Sequence, residues 1–314
     1  MPYLLRRLLG LVLTLLLVSL ITFAVVHVLP GDPAMLILGH EASPESLAGL
    51  RAALGLDRPL PAQYLSWLAG ALHGDLGMSL RHNLPVGQLI AERLPVTASL
   101  AALATLLAVG LALPLGMLAA VRQGTAVDLG VLVLSQVGVA LPAFWIGILL
   151  IVTLAVGRHL FPTGGYVPWS ASVPGALRSL ALPAVALSLP MVAVLVRLVR
   201  NAMLDELGRD HIRTARAKGL PERTVLLRHA LRGALIPTVT MVGLQLGFLL
   251  GGSIVIEQVF SLPGLGRLVL SAIANRDVPL IQGLVVFIAT LAVAINFTVD
   301  VLYAALDPRL SLWK

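Results

Sequence analysis

The chain contains no cysteine, which removes thiol nucleophiles, disulfides and thiolate metal sites from consideration. Seven histidines are scattered along it without ligand spacing. His40-Glu41 begins a zinc-protease pattern, but position 44, where the second His belongs, is Pro44. A phosphate-binding loop needs Gly-Lys followed by Ser or Thr. The two lysines, Lys218 and Lys314, follow Ala217 and Trp313, so no ATPase site of that kind is expected. Gly-x-Ser-x-Gly is absent as well. The sequence therefore predicts no catalytic residue, no metal site and no cofactor held by this chain.

The apolar runs hold no acid or base, only Gln136, Gln245, Asn296 and some hydroxyls. A membrane enzyme or an ion-driven carrier needs paired ionisable or nucleophilic groups at that depth. The three amides are candidates for lining a polar route. Each serves equally well as a hydrogen-bond partner of a neighbouring helix.

The elements that must position these residues follow from composition. Of 314 residues, 58% are apolar and 12% charged, with a mean hydropathy of +0.96. A soluble globule would carry too much hydrophobic surface. Six runs free of charge and histidine recur: Leu8 to Val26, Val96 to Val121, Leu129 to Gly157, Leu180 to Val196, Ala234 to Ile256 and Val278 to Val299. Each is near the roughly 20 residues a spanning helix needs. The fourth extends through Leu198 if Arg197 and Arg200 snorkel. The first is longer than a signal-peptide core and ends in His27-Val28-Leu29-Pro30-Gly31-Asp32-Pro33, not at a small-residue cleavage site. We therefore expect an all-α polytopic membrane protein with six transmembrane helices. Its expected divisions are an N-terminal helix over 1–29, an extracytoplasmic region over 30–95 and a core over 96–310.

The net charge of +7 is read first as topology. With the N-terminus inside, the inner segments carry 14 Lys and Arg in 63 residues and the outer ones 8 in 112. That asymmetry places both termini in the cytoplasm. It also accounts for the basic excess without nucleic acid as a partner.

The outer segment 27–95 is expected to form short amphipathic helices on the membrane face, anchored by Trp67 and Leu68. Outer loops at Phe161-Pro162-Thr163-Gly164-Gly165-Tyr166 and Leu262-Pro263-Gly264-Leu265-Gly266 fit either tight turns or gates. Gly243, Gly247 and Gly251 repeat every four residues, the pattern of close helix contact, with Gln245 about 200° round the helix from Gly243. The cytoplasmic loop within 203–233 reads as two short helices with a hinge. Asp210 is expected to cap a helix through Ile212 to Lys218, Gly219 to stop it in the left-handed conformation, and Pro221 to open the next, with Glu222 in its first turn. Small Ala215 and Ala217 fit a docking surface; an ordinary solvated basic loop fits the same composition.

Arg213-Thr214-Ala215-Arg216-Ala217-Lys218-Gly219 resembles the coupling loop of permease subunits of binding-protein-dependent ABC importers. Arg213 and Thr214 stand where the general pattern has Glu and Ala, and His229-Ala230-Leu231-Arg232 replaces its downstream Ile-x-Leu-Pro. These departures are typical of the dipeptide, oligopeptide and nickel branch. Similar to that branch as well are Leu29-Pro30-Gly31-Asp32-Pro33-Ala34, Gly55-Leu56-Asp57-Arg58-Pro59, Gly74-Asp75-Leu76-Gly77-Met78-Ser79, the run from Glu257 to Leu268, Asn296, Asp300, Tyr303 and Asp307-Pro308-Arg309.

The resemblance implies an ABC importer permease fold in a bacterial or archaeal cytoplasmic membrane. It implies as partners, besides membrane lipid, a second similar permease, two ATPase subunits that use ATP and Mg²⁺, and an extracytoplasmic substrate-binding protein. Asp210, Arg213, Thr214, Ala215, Ala217, Lys218 and Gly219 would form the ATPase-coupling loop. Peptides are the implied solute, with nickel chelates, glutathione-like compounds and oligosaccharides as alternatives. A channel would need a filter sequence, and none is found.

The charge asymmetry makes a direct prediction. A cysteine at Ser46 should react with an impermeant thiol reagent in intact cells and one at Thr224 should not; the reverse pattern would invert the topology.

Overall fold

The computed structural model describes residues 2–28, 35, 43–53, 55 and 57–306. The motifs at residues 29–34 and 307–309, and the side chains of Asp300 and Tyr303, lie outside what is described. Helices dominate because in hydrocarbon each backbone N–H and C=O must find its partner within the segment. In chain order they are α1 (Pro2–Val28), α2 (Pro44–Ala53), α3 (Leu60–Leu72), α4 (Val86–Val121), α5 (Ala126–Ala140), α6 (Ala143–Leu150), α7 (Val173–Leu207), α8 (Asp210–Ala217), α9 (Glu222–Thr224), α10 (Leu231–Val259), α11 (Leu265–Ala274) and α12 (Val278–Leu306). π-helical stretches extend α6 over Ile151–Val156 and join α9 to α10 over Val225–Ala230.

Among the described residues, four stretches are long and apolar enough to cross a membrane: Val86–Val121, Val173–Leu207, Glu222–Leu249 and Val278–Val299. The pair α5 and α6 makes a fifth if it is one span, and the apolar part of α1, Leu9–Val25, is shorter. The run Leu129 to Gly157, expected as one helix, is instead bent by 98° between α5 and α6. Pro142 is the cause. It offers no N–H to the helix, and it pushes Leu141 out of the helical region, to φ −88 and ψ 125.

The chain forms two compact units, Met1–Pro95 with Arg267–Val293, and Val96–Gly266 with Ala294–Lys314. One boundary between the units falls at residue 95, and residues 267–293, which the sequence reading placed with a core over 96–310, group with the first unit.

In the first unit, α3 lies on α1. The Ser19 and Tyr64 hydroxyls are 2.8 Å apart, Phe23 meets the Tyr64 ring edge-on at 5.4 Å, and Trp67 tilts against Tyr64 at 6.3 Å. Trp67 is thus half-buried against its own unit. Buried Asp277 ties the start of α12 to the Gly74–Ser79 motif: it accepts from Ser79 Oγ at 2.5 Å, from Leu80 N at 3.2 Å and from Leu280 N at 3.3 Å. Gly77 makes the turn with φ +87, a conformation that only glycine adopts without strain.

The second unit is built around α7, 72% of whose most apolar window is buried. Leu100, Ala104, Ala108 and Ala112 of α4, every fourth residue, are fully buried in the same core, and a side chain at Gly116 would sit 2.7 Å from Val199 of α7. Small residues let these backbones approach. At one end of α7, Arg200 grips Asp128 of α5 with Nε at 2.5 Å and Nη2 at 2.7 Å, while Gly124 N donates to the same carboxylate at 3.0 Å. Arg200 therefore does not snorkel; it pairs.

The glycine strip is used unevenly. A side chain at Gly243 would collide with Val299 of α12 at 2.0 Å, one at Gly247 would lie 3.9 Å from Asn296 Oδ1, and one at Gly251 would meet nothing. Gly243→Leu should therefore lower the yield of folded protein in detergent, where Gly251→Leu should leave it unchanged; equal yields would remove Gly243 from the contact. Breaking the Asp128–Arg200 pair strands a buried charge. Asp128→Asn should lower the Tm, and the swap Asp128→Arg with Arg200→Asp should recover part of that loss.

Candidate functional site

The loop between α7 and α10 carries the candidate coupling residues. Arg209, in extended conformation, precedes α8, and Asp210 is the first helical residue. Asp210 was expected to cap this helix. It falls one position too late, and no side-chain cap bond forms. Its carboxylate instead faces water, 3.4 Å from Arg213 Nη1, while its carbonyl accepts from Thr214 Oγ1 at 3.0 Å.

One face of α8 is sealed. Ile212 and Ala215 are buried in a cluster with Ala120, Val199, Met203, Val225, Ala230 and Ala234. Ala215 was expected on the docking surface; its small side chain serves instead to bring α8 close to its own core. Arg213, Thr214, Ala217 and Lys218 occupy the exposed face. The helix then stops at Gly219, with φ +75 as expected. Leu220 N donates to Ala215 O at 3.3 Å and Gly219 N to Arg216 O at 2.9 Å, the paired bonds of a Schellman ending. A side chain at Gly219 would meet no atom, so backbone conformation alone demands glycine here. Pro221 caps α9 from outside its first turn, where it was expected within it. Arg216 braces the hinge by gripping Glu222 with Nε at 3.1 Å and Nη2 at 2.6 Å. Those bonds hold the Arg216 guanidinium above its already high ordinary pKa.

The base of the loop holds a residue that sequence reasoning missed. Glu206, buried near the end of α7, lies 2.9 Å from Arg209 Nη1 and 3.7 Å from His211 Nε2. Its carboxyl carbon occupies the space a side chain at Gly233 would need, 2.3 Å from that Cβ position. Gly233 thus lets α10 receive the acid. A second missed acid, Glu257, is fully buried at the end of α10 and accepts from Thr97 Oγ1 at 2.6 Å. Gly264 and Gly266 leave room for its carboxylate. The spacing Glu257…Gly264-x-Gly266 inside one motif was the available signal. The two outer loops also meet, Gly165 N donating to Phe260 O at 2.9 Å, which fits mutually braced turns.

The three path candidates stand on three different helices. Gln136 of α5 is exposed and accepts from Arg197 Nη1 at 3.3 Å. Gln245 of α10 is half-buried, and Asn296 of α12 is exposed.

Known proteins match this sequence along nearly its whole length. Residues 112–312 match the family "Binding-protein-dependent transport system inner membrane component", and residues 1–101 its N-terminal counterpart. The chain is 46% identical over 305 residues to a putative peptide transport system permease protein of Brucella suis, covering 97% of both chains. It is 40% identical over 335 residues to the dipeptide transport system permease protein DppB of Escherichia coli, covering 99% of this chain and 98% of that one. Among solved structures, the MetNI methionine ABC transporter in an inward-facing conformation shares the fold with a TM-score of 0.56 and 20% identity, over 70% of this chain and 97% of that one. A helical chain with a hinged, one-sidedly buried loop and matches of this extent is a member of the binding-protein-dependent transport system inner membrane components.

Proposed function

We propose that this chain is one permease of an ATP-driven peptide importer, working with a second, similar permease, two ATPase subunits and an extracytoplasmic binding protein. The names of its relatives, peptide and dipeptide transport permeases, support peptides as the solute. ATP and Mg²⁺ belong to the ATPase subunits; this chain contributes the route and the coupling loop.

The observation that carries the reading is the two-sided build of α8. Its inner face, Ile212 and Ala215, is welded into the core of its unit, while Arg213, Thr214, Ala217 and Lys218 are left outside on a helix held by a left-handed Gly219 and the Arg216–Glu222 brace. A surface so fixed transmits displacement. When ATP binding closes the ATPase pair, α8 moves with it, and the buried contacts pass the motion to α7 and α10. The helices then exchange inward- and outward-facing states, and differential affinity for those states drives the shift.

The test places a charge on the outer face and strain in the hinge. Ala217→Glu is exposed and should spare folding; Gly219→Val costs about 1 kcal/mol or more in backbone strain. Both should reach wild-type membrane levels with the partners co-expressed. Both should also lose ATPase co-purification, or retain hydrolysis with ATP-dependent uptake of a labelled dipeptide lost. Nickel chelate, glutathione and an oligosaccharide serve as competing solutes, and displacement of the dipeptide by one of these alone would reassign the cargo. Wild-type coupling in both variants would make the loop an ordinary solvated connection.

A further inference from the structure

Arg197 lies on α7 three residues before Arg200, about 4.5 Å farther from the coupling-loop end. The sequence suggested that it snorkels towards the cytoplasm. The structure turns it the other way. Helices α5 and α7 run antiparallel, with Asp128 against Arg200 at one level and Gly138 against Ala193 deeper in. Gln136, to which Arg197 donates, sits eight residues beyond Asp128, about 12 Å farther along α5. Helical side chains tilt towards their own N-terminus, so Arg197 leans deeper into the unit and Gln136 leans back to meet it.

Arg197 is exposed on a helix that is otherwise mostly buried, and the surface beside Gln136 is apolar: Val133 is 53% exposed, Leu134 72% and Val137 48%. Among the described residues its bond is the 3.3 Å contact with Gln136, which takes one of a guanidinium's five N–H donors. A guanidinium aimed away from the membrane surface is costly against lipid; such a group faces a polar route and marks what travels there. The chemistry it fits is a carboxylate, which a guanidinium binds through two parallel hydrogen bonds.

We propose that Arg197, oriented by Gln136, is a subsite of the translocation route for the carboxylate of the passing peptide. This rests on the peptide-importer reading above. Gln136 is a positioning residue: its amide oxygen holds the guanidinium up along the route, and the remaining donors receive the substrate. The ion pair would form in transit and not at capture, which belongs to the binding protein.

The test uses the complete transporter in proteoliposomes with its binding protein, comparing a dipeptide with its C-terminal amide, each saturating the binding protein. Arg197→Gln should assemble normally and import the free acid about tenfold more slowly while amide uptake changes little, as expected for losing one charged hydrogen-bonding partner. Arg197→Lys should recover part of the rate, and Gln136→Leu should lower the acid rate in the same direction. An unchanged acid-to-amide ratio in Arg197→Gln overturns the subsite. So does loss of the second permease from that variant's complex, which makes Arg197 an interface residue. Disappearance of its defect in vesicles of phosphatidylcholine alone also overturns it, since the cation then serves anionic lipid. A wild-type complex that imports neither peptide form would sink the peptide reading itself, and the subsite with it.

Discussion

Charge cannot be left uncompensated in hydrocarbon, and that constraint dictates where this chain places its buried acids. Asp128 begins α5, Glu206 lies near the end of α7, Glu257 lies near the end of α10, and Asp277 stands just before α12. Each sits where a helix meets its connection, and each has donors there: the Arg200 guanidinium, Arg209, the Thr97 hydroxyl, and Ser79 with backbone N–H groups. The acids therefore tie turns to helices and leave the helix interiors to apolar packing. Three glycines, Gly233, Gly264 and Gly266, leave the space that two of the carboxylates occupy.

The same division of labour explains the cytoplasmic loop. It has no apolar thickness of its own, so its shape depends on anchors at both ends: Glu206 against Gly233 at the base, Ile212 and Ala215 in the core. Between them the backbone turns at Gly219, and Arg216 with Glu222 spans the turn. An exposed ion pair is worth little alone. Here two hydrogen bonds close a short loop whose backbone already favours that geometry, so the pair selects an orientation more than it adds stability. The exposed face of α8 is thereby held in one orientation.

Much of this was legible in the amino-acid sequence, for identifiable reasons. Hydropathy marks helices because the lipid requirement is local to each segment, and five of the six runs lie in helices close to their expected places. Gly219 was legible because a positive φ is a property of one residue and its immediate neighbours. Asp210 was misread by a single position, since a cap depends on which residue first turns helical. Pro142 carried the signal for the break between α5 and α6, but a long apolar run hid it.

Orientation was not legible. Ala215 is small enough to suit a docking face or a core, and only the packing of α8 against Val199 and Ala234 decided for the core. Arg197 could snorkel or lean inward; the antiparallel pairing of α5 and α7 decided. Glu206 and Gly233 are far apart in the chain, and their fit exists only once α7 and α10 are side by side. By itself the sequence determined membrane residence, helical class, the hinge and the family, because periodicity, hydropathy and backbone preference act over one turn or one span. The tertiary structure decided which side of each helix is buried and which polar groups meet, because those depend on distances between segments that no local preference encodes.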